Sequence, residues 1–138
     1  MAERMYLAST AAPGDNSPVS GDDRPIAIIE DDSGVLESLR FVLEAAGYKV
    51  ATYDSAAAFL RDDHGLALGL IVDQHMPEKT GLELAHDLRS RGDSRPFLLI
   101  TAAPSPSIHA RAKELGVERV LEKPLANDDL FEFIEKLQ

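Results

Sequence analysis

Five polar residues, each placed at the end of a short apolar run, have side chains that could carry out chemistry together. Glu30 and Asp31 follow the first run, Asp73 the third, Thr101 the fourth and Lys123 the fifth. If these runs are parallel strands, the side chains meet at one edge of the sheet, because such sheets bind ligands outside the carboxyl ends of their strands. Singly, Thr101 and Lys123 are better explained as a strand end and a turn. Their occurrence together with Asp73 favours a binding site.

The three acidic residues of this set predict a metal site. Glu30, Asp31 and Asp73 concentrate negative charge, which raises carboxylate pKa values and costs stability. A hard divalent cation with oxygen ligands removes that conflict, and small octahedral Mg²⁺ keeps waters while it bridges to phosphate. An acidic pair after a strand often caps a helix, but Asp32 or Ser33 can fill that role here. Glu30 and Asp31 are therefore free to bind a cation.

The elements that must position these residues follow from the pattern beyond Pro25, where short apolar runs alternate with amphipathic stretches. Continuous apolar runs are typical of parallel strands that are buried on both faces. Gly47 is a helix stop, and Thr80 to Glu83 matches a capping box. The predicted strands cover residues 26–29, 49–53, 68–72 and 97–100, and residues 117–122 contain a shorter fifth strand. The predicted helix caps are Asp32 or Ser33, Ser55, Thr80 and Asn127, and a fourth helix covers residues 107–115.

The order of these elements predicts an α/β fold with one domain. Five strands that alternate with five helices imply a doubly wound parallel sheet with helices on both faces. Residues 25–138 contain this pattern and end with the fifth helix, so we expect no second domain. Residues 1–24 are rich in Pro, Gly, Ser and Asp, which predicts a flexible tail.

Composition excludes several classes of function. The formal net charge of −10, from 24 acidic and 14 basic residues, repels phosphate backbones, so we expect no direct nucleic-acid partner. The absence of cysteine excludes disulfides and thiolate metal sites. No apolar run approaches the roughly 18 residues that a membrane span needs, and the N-terminus is a poor secretory signal. We therefore expect a cytoplasmic protein without a membrane partner.

The polar residues, in their order along the chain, resemble the signature of the receiver domain of bacterial response regulators. The matching residues are Glu30-Asp31, Asp73-x-x-Met76-Pro77, Gly81, Thr101-Ala102 and Lys123-Pro124. The resemblance covers about residues 25–138 and extends to the single-domain response regulators, which consist of the receiver alone. It implies a flavodoxin-like five-stranded parallel sheet in the order 2-1-3-4-5 with five helices.

The resemblance also implies a role in two-component phosphorelay signal transduction. A histidine kinase or a histidine phosphotransfer protein would phosphorylate the domain, which is not an enzyme beyond catalysing its own phosphorylation and dephosphorylation. The output would reach a downstream protein target through a changed surface. A homodimer is compatible with this role.

The same resemblance assigns roles at the acidic end of the sheet. Asp73 would be the phosphoacceptor that forms an acyl phosphate. Asp31, Asp73 and the backbone carbonyl of His75 would be ligands of Mg²⁺, and Glu30 would act through water. We expect the His75 side chain to be a bystander, neither ligand nor base. The other histidines, which we expect on the surface, are His64, His86 and His109.

Two further residues would contact the phosphoryl group. Such contacts suit phosphoryl transfer, which depends mainly on positioning and charge neutralisation. Lys123 would pair with phosphoryl oxygens, and the Thr101 hydroxyl would hydrogen-bond one of them. The family has a cis peptide bond before the proline that matches Pro124. Many members have an aromatic residue at the position of Val120, whose inward swing accompanies phosphorylation. Thr101 and Val120 are thus the switch positions, but valine cannot make this swing.

The departure at Val120 leads to a prediction about activation. The Val120 side chain is too short to follow a movement of Thr101. We therefore expect backbone shifts to transmit the change that phosphorylation causes. Phosphorylation, or a beryllofluoride mimic of it, should perturb the amides of residues 102–115 more than those around Val120. Backbone amide shift mapping checks this, and the opposite ranking of the two segments would contradict it.

Three other functions compete with a phosphorylated signalling module. A phosphohydrolase of the haloacid dehalogenase type needs a second Asp two residues after its nucleophile, where this chain has His75. A pseudo-receiver would keep the fold as an interaction module without the chemistry, and retention of all five polar residues argues against it. A nucleotide-binding domain is disfavoured because no Gly-rich loop follows the first apolar run.

Overall fold

The computed structural model describes residues 23–137, which form a five-stranded parallel sheet between two layers of helices. The strands are β1 (Ile26–Ile29), β2 (Val50–Tyr53), β3 (Gly69–Asp73), β4 (Phe97–Thr101) and β5 (Arg119–Glu122). The helices are α1 (Ser33–Ala45), α2 (Ala56–Asp62), α3 (Gly81–Ser90), α4 (Pro106–Glu114) and α5 (Asn127–Glu135). The strand order β2-β1-β3-β4-β5 confirms the predicted fold. The predicted tail, residues 1–24, lies outside the described residues except for its last two.

Each face of the sheet carries its own hydrophobic core, as the continuous apolar runs predict. In β1, Ala27 and Ile29 belong to one core, while Ile26 and Ile28 belong to the other. Helices α2 and α3, with part of α4, cover the first face, and α1 and α5 cover the second. Among residues 23–137, no helix combines the length and the apolar character that crossing a membrane requires.

The N-terminal helix caps set where the loops of the functional edge end. The Asp32 carboxylate accepts hydrogen bonds from the backbone N–H groups of Gly34 and Val35, 2.9 and 3.1 Å away, so Asp32 caps α1. The predicted capping box of α3 is confirmed, because Thr80 and Glu83 each accept a hydrogen bond from the other's backbone N–H. Asp32 thereby leaves the two preceding acidic residues available, as predicted.

The predicted cap of α5 is wrong. Asn127 is already the first helical residue, and the capping position belongs to Ala126, which makes no side-chain hydrogen bond to the helix. Asp128 and Asp129 in the first turn instead place negative charge at the positive end of the helix dipole. The peptide bond between Lys123 and Pro124, just upstream, is cis, as the resemblance implies.

Arg95 links loops at the end of the sheet opposite to the functional residues. Its guanidinium lies 2.8 Å from Asp63 Oδ2 and 2.7 Å from Asp93 Oδ2, and it lies over the ring of Phe59. Asp63 is buried and also accepts hydrogen bonds from two backbone N–H groups of the loop before β3. These contacts hold the loops before β3 and β4 together.

The ion pair of Arg95 with Asp93 makes the free energy of unfolding depend on pH. The hydrogen bond from Arg95 lowers the pKa of Asp93 below its ordinary value of 3.8. A lowered folded-state pKa gives stability that is present above the unfolded-state value and is lost as pH falls through the folded-state value. Asp93→Asn should therefore cost about 1–2 kcal/mol at pH 7, and the cost should shrink below about pH 4.

Urea unfolding at several pH values checks this dependence. Asp62→Asn is the matched control, because the Asp62 carboxylate is half-exposed and pairs only with the exposed Arg61 among the described residues. Its effect on the free energy of unfolding should be within about 0.5 kcal/mol at every pH. A cost of Asp93→Asn that does not change between pH 7 and pH 3 would contradict the assignment.

Candidate functional site

The parallel pairing of β1 and β3 brings the three predicted acidic residues together. Ile29 is in register with Val72, so the residues that follow them, Glu30 and Asp73, lie side by side at the end of the sheet. Carboxylate oxygens of Glu30, Asp31 and Asp73 all lie within 4.8 Å of one another. Glu30 and Asp73 are buried, whereas Asp31 is exposed. The cluster is thus open to solvent on the side of Asp31.

Lys123 provides positive charge at this cluster. Its ammonium lies 3.0 Å from Glu30 Oε1 and 3.1 Å from Asp73 Oδ1. The backbone N–H of Lys123 donates to the carbonyl of Thr101, 2.9 Å away, and this bond fixes the start of the side chain. Burial opposes the charged form of Lys123, but the two carboxylates outweigh it and raise the pKa of the ammonium. The Lys123 ammonium thus contacts two of the three carboxylates of the cluster.

Burial also changes the protonation of Glu30. Loss of hydration is the largest effect and raises the pKa of Glu30 to about 7. The backbone N–H of Asp32, 3.1 Å from Oε2, and the Lys123 ammonium oppose this rise, while the charge of Asp73 adds to it. The Glu30 carboxyl therefore holds its proton to a higher pH than an ordinary glutamate does.

The residues present fit a small, hard divalent cation. Glu30 Oε1 and Asp73 Oδ1 are buried, and neither has a hydrogen bond of acceptable geometry among the described residues, although both lie beside the ammonium. Oxygen donors of this kind suit Mg²⁺, which binds through one or two carboxylates and retains waters. The chain contains no cysteine, so it offers no thiolate for softer metals.

Thr101 lies beside the acidic cluster and contacts the His75 side chain. The Thr101 side chain is fully buried, and its hydroxyl accepts a hydrogen bond from the backbone N–H of Ala103, 3.1 Å away. The same hydroxyl lies 3.0 Å from His75 Nε2. That the His75 side chain is neither ligand nor base stays a prediction, but the contact with Thr101 was not predicted for His75. Its place two residues after Asp73 was the available signal, but the sequence does not show which way the ring points.

The loop after β3 is held by a residue that sequence reasoning missed. The buried Gln74 accepts a hydrogen bond from the Leu82 N–H at its side-chain oxygen, 2.9 Å away, and from the Gly81 N–H at its carbonyl, 3.1 Å away. The N–H of Gln74 donates to the carbonyl of Ile100 in β4, 2.8 Å away. These three bonds fix the chain that follows Asp73. No local pattern signals this role, because the partners are distant in sequence.

The other predicted site residues take ordinary places. Val120 is half-buried and packs against the core that α2 and α3 cover, in register with Leu99 of β4. His64, His86 and His109 are exposed, as predicted. The switch role of Val120 and the carbonyl ligand at His75 stay predictions.

Comparisons with known proteins agree with this fold. Residues 26–135 match the family model described as the response regulator receiver domain. The transcriptional regulatory protein FixJ of Bradyrhizobium diazoefficiens is 36% identical over 111 residues, which are 80% of this chain and 54% of that protein. FixJ of Azorhizobium caulinodans is 41% identical over 101 residues, 72% of this chain and 48% of that protein. The chain spans about half the length of the curated relatives it matches.

Solved structures share the fold. A crystal structure of FixJ-N superposes with a TM-score of 0.75 at 30% identity, covering 84% of this chain and 94% of that one. A CheY-like receiver domain protein from Methanospirillum hungatei superposes with a TM-score of 0.77 at 25% identity, with the same coverage of 84% and 94%.

Proposed function

Because this chain belongs to the response regulator receiver domain family, we propose that it is the phosphoacceptor module of a two-component phosphorelay, phosphorylated on Asp73. The observation that carries this proposal is the position of Asp73, which is buried at a strand end, within the acidic cluster and 3.1 Å from the Lys123 ammonium. A pseudo-receiver has no need to keep two buried carboxylates against one ammonium, since buried charges cost stability. A phosphorylated receiver needs them for chemistry.

Asp31, Asp73 and the backbone carbonyl of His75 would hold Mg²⁺, and Glu30 would contribute through water. When bound, Mg²⁺ would neutralise charge on the phosphoryl oxygens and offset the repulsion among the carboxylates. The two buried oxygens without hydrogen bonds, on Glu30 and Asp73, support this assignment.

The residues of the chain itself would position and stabilise the transferred group. A carboxylate oxygen of Asp73 attacks phosphorus, a P–O bond forms as the bond between phosphorus and the donor breaks, and an acyl phosphate results. The Lys123 ammonium, already 3.1 Å from Asp73 Oδ1, pairs with a phosphoryl oxygen. The Thr101 hydroxyl donates a hydrogen bond to another.

A histidine kinase or a histidine phosphotransfer protein would supply the phosphoryl group. The named relatives are transcriptional regulatory proteins of about twice the matched length, so a downstream protein target or a second copy of the chain would receive the output. The net charge of −10 disfavours a direct nucleic-acid partner. The proposed setting is the cytoplasm.

Incubation with acetyl phosphate and Mg²⁺ tests the proposed function. Intact-mass measurement should show a single phosphoryl adduct that is absent when a chelator replaces Mg²⁺. An adduct of the same yield in chelator would remove the metal from the account. No adduct under any condition would favour the pseudo-receiver.

The metal site gives a separate prediction about stability. Mg²⁺ at a hundred times its Kd should raise the free energy of unfolding by about 2.7 kcal/mol, because a ligand that binds only the folded state stabilises it. Asp31→Ala should remove most of this gain and Glu30→Ala less of it. Thermal unfolding over a Mg²⁺ series measures both effects.

Glu44→Ala is the control for general loss of charge, because Glu44 is exposed near the far end of α1. It should keep the full response to Mg²⁺. An equal response in the wild type and Asp31→Ala would exclude Asp31 as a direct ligand.

A further inference from the structure

The Thr101 hydroxyl has two hydrogen-bonding neighbours, and only one arrangement satisfies all of its groups. A hydroxyl has one hydrogen to donate and two lone pairs that accept. The Ala103 N–H can only donate, so it occupies one lone pair. Among residues 23–137, the other neighbour recorded for this hydroxyl is His75 Nε2, 3.0 Å away.

The direction of the second bond follows from burial. Thr101 is fully buried, so its hydroxyl hydrogen has no exposed surface from which to reach bulk water. Buried polar hydrogens are almost always hydrogen-bonded. The hydrogen is satisfied when Nε2 of His75 accepts it. In the unphosphorylated protein, the Thr101 hydroxyl therefore donates its single hydrogen to His75.

We propose that His75 is a positioning residue that restrains the Thr101 hydroxyl and competes for it with the phosphoryl group on Asp73. This inference rests on the proposed function, in which Thr101 donates its hydrogen to a phosphoryl oxygen. The hydroxyl cannot donate that hydrogen to both acceptors fully, so phosphorylation has to break or weaken the bond to His75. His75, the competing hydrogen-bond acceptor, lies only two residues after the phosphoacceptor Asp73.

The position of His75 explains how its hydrogen bond with Thr101 can couple two loops. His75 follows β3, and Thr101 ends β4 immediately before the loop that leads to α4. Releasing Thr101 from His75 frees the residue that also holds the Ala103 N–H. The change at Asp73 thus passes directly to the start of the loop between β4 and α4. The half-buried Val120 is not required for this step.

Beryllofluoride in the presence of Mg²⁺ is the probe, and amide shift titration gives its affinity. His75→Leu removes the acceptor at an exposed position, so the fold should persist. We expect it to bind beryllofluoride about threefold to tenfold more tightly than the wild type, the range that corresponds to loss of one competing hydrogen bond. His75→Gln, whose amide oxygen can still accept the hydrogen, should return the affinity toward the wild-type value.

A double-mutant cycle separates action through Thr101 from a general change at the site. In a Thr101→Ala background, His75→Leu should leave beryllofluoride affinity unchanged, because the competed hydrogen is gone. An affinity of His75→Leu equal to or weaker than the wild type, or a gain that persists without the Thr101 hydroxyl, would overturn this inference alone. Failure of the wild type to bind beryllofluoride would overturn the proposed function and this inference with it.

Discussion

The Asp73→Asn variant is expected to gain no phosphoryl group from acetyl phosphate and to be more stable than the wild type when Mg²⁺ is absent. The amide is nearly isosteric with the carboxylate but is a poor nucleophile, so labelling should fall below detection. The gain in stability follows from burial. Asp73 is 2% exposed and lies beside two other carboxylates, so its charge has lost hydration and meets repulsion.

The opposing effect is the lost attraction to Lys123, whose ammonium keeps Glu30 as a partner. We therefore expect a net gain of about 1 kcal/mol in the free energy of unfolding, the usual size of a single-residue effect. Chemical unfolding in chelator measures the gain, and intact mass measures labelling.

Asp54→Asn is the matched control for both measurements. Asp54 also directly follows a strand, β2, but it is exposed and does not belong to the acidic cluster. It should label like the wild type and have nearly unchanged stability. Undiminished labelling of Asp73→Asn would move the phosphoacceptor to another residue.

Gly81→Ala is expected to destabilise the protein by about 3 kcal/mol, because the close packing that holds Asp73 leaves no room for a side chain. A Cβ atom at Gly81 would lie 2.6 Å from Leu99 Cδ1 and 2.8 Å from the backbone oxygen of Asp73. Leu99 can adjust its side chain, but the Asp73 carbonyl belongs to β3 and cannot move without disturbing the sheet. Labelling by acetyl phosphate should therefore slow as well.

Gly92→Ala separates this close contact from the backbone preference of glycine. Gly92 has a φ of 82°, and nothing lies within 4 Å of the Cβ that alanine would add. Its cost should be the conformational strain alone, about 1–2 kcal/mol, without an effect on labelling. Urea unfolding compares the two variants. Equal costs for them, or normal labelling rates in a folded Gly81→Ala, would contradict the role given to Gly81.

The elements of the sheet could be predicted because their signal is local. A strand such as β3 is buried on both faces, so every position is apolar and the run stands out in the sequence. The fifth strand, Arg119–Glu122, is shorter than residues 117–122, as predicted, and leaves out the apolar Val117. In the structure its N–H bonds to the carbonyl of Ala112 and closes the turn after α4, so pairing starts at Arg119.

The acidic cluster and Lys123 could be predicted because topology alone brings them together. Parallel strands all end at the same edge, so the residues at the ends of β1, β3 and β5 lie together at that edge. The strand order itself came from the resemblance, since alternation of strands and helices leaves the order undetermined.

Contacts between side chains of different loops could not be predicted. The hydrogen bond of His75 to Thr101 joins residues 26 positions apart, and Arg95 contacts Asp63 across an even longer separation. Such contacts depend on rotamers and loop paths that no local pattern encodes. The predicted cap of α5 was wrong for a related reason. Asn127 is a good capping residue, but the path of the chain places it one position past the cap, as the first residue of the helix.

Mapping the adduct chemically is the most direct measurement of the central claim that Asp73 receives the phosphoryl group. Protein labelled with acetyl phosphate and Mg²⁺ is reduced with borohydride, which converts an aspartyl phosphate to homoserine, and its peptides are sequenced by mass spectrometry. The proposed function predicts reduction at position 73 alone, and none in protein incubated with chelator. Reduction at Asp31 or another acidic residue, with Asp73 intact, would contradict it.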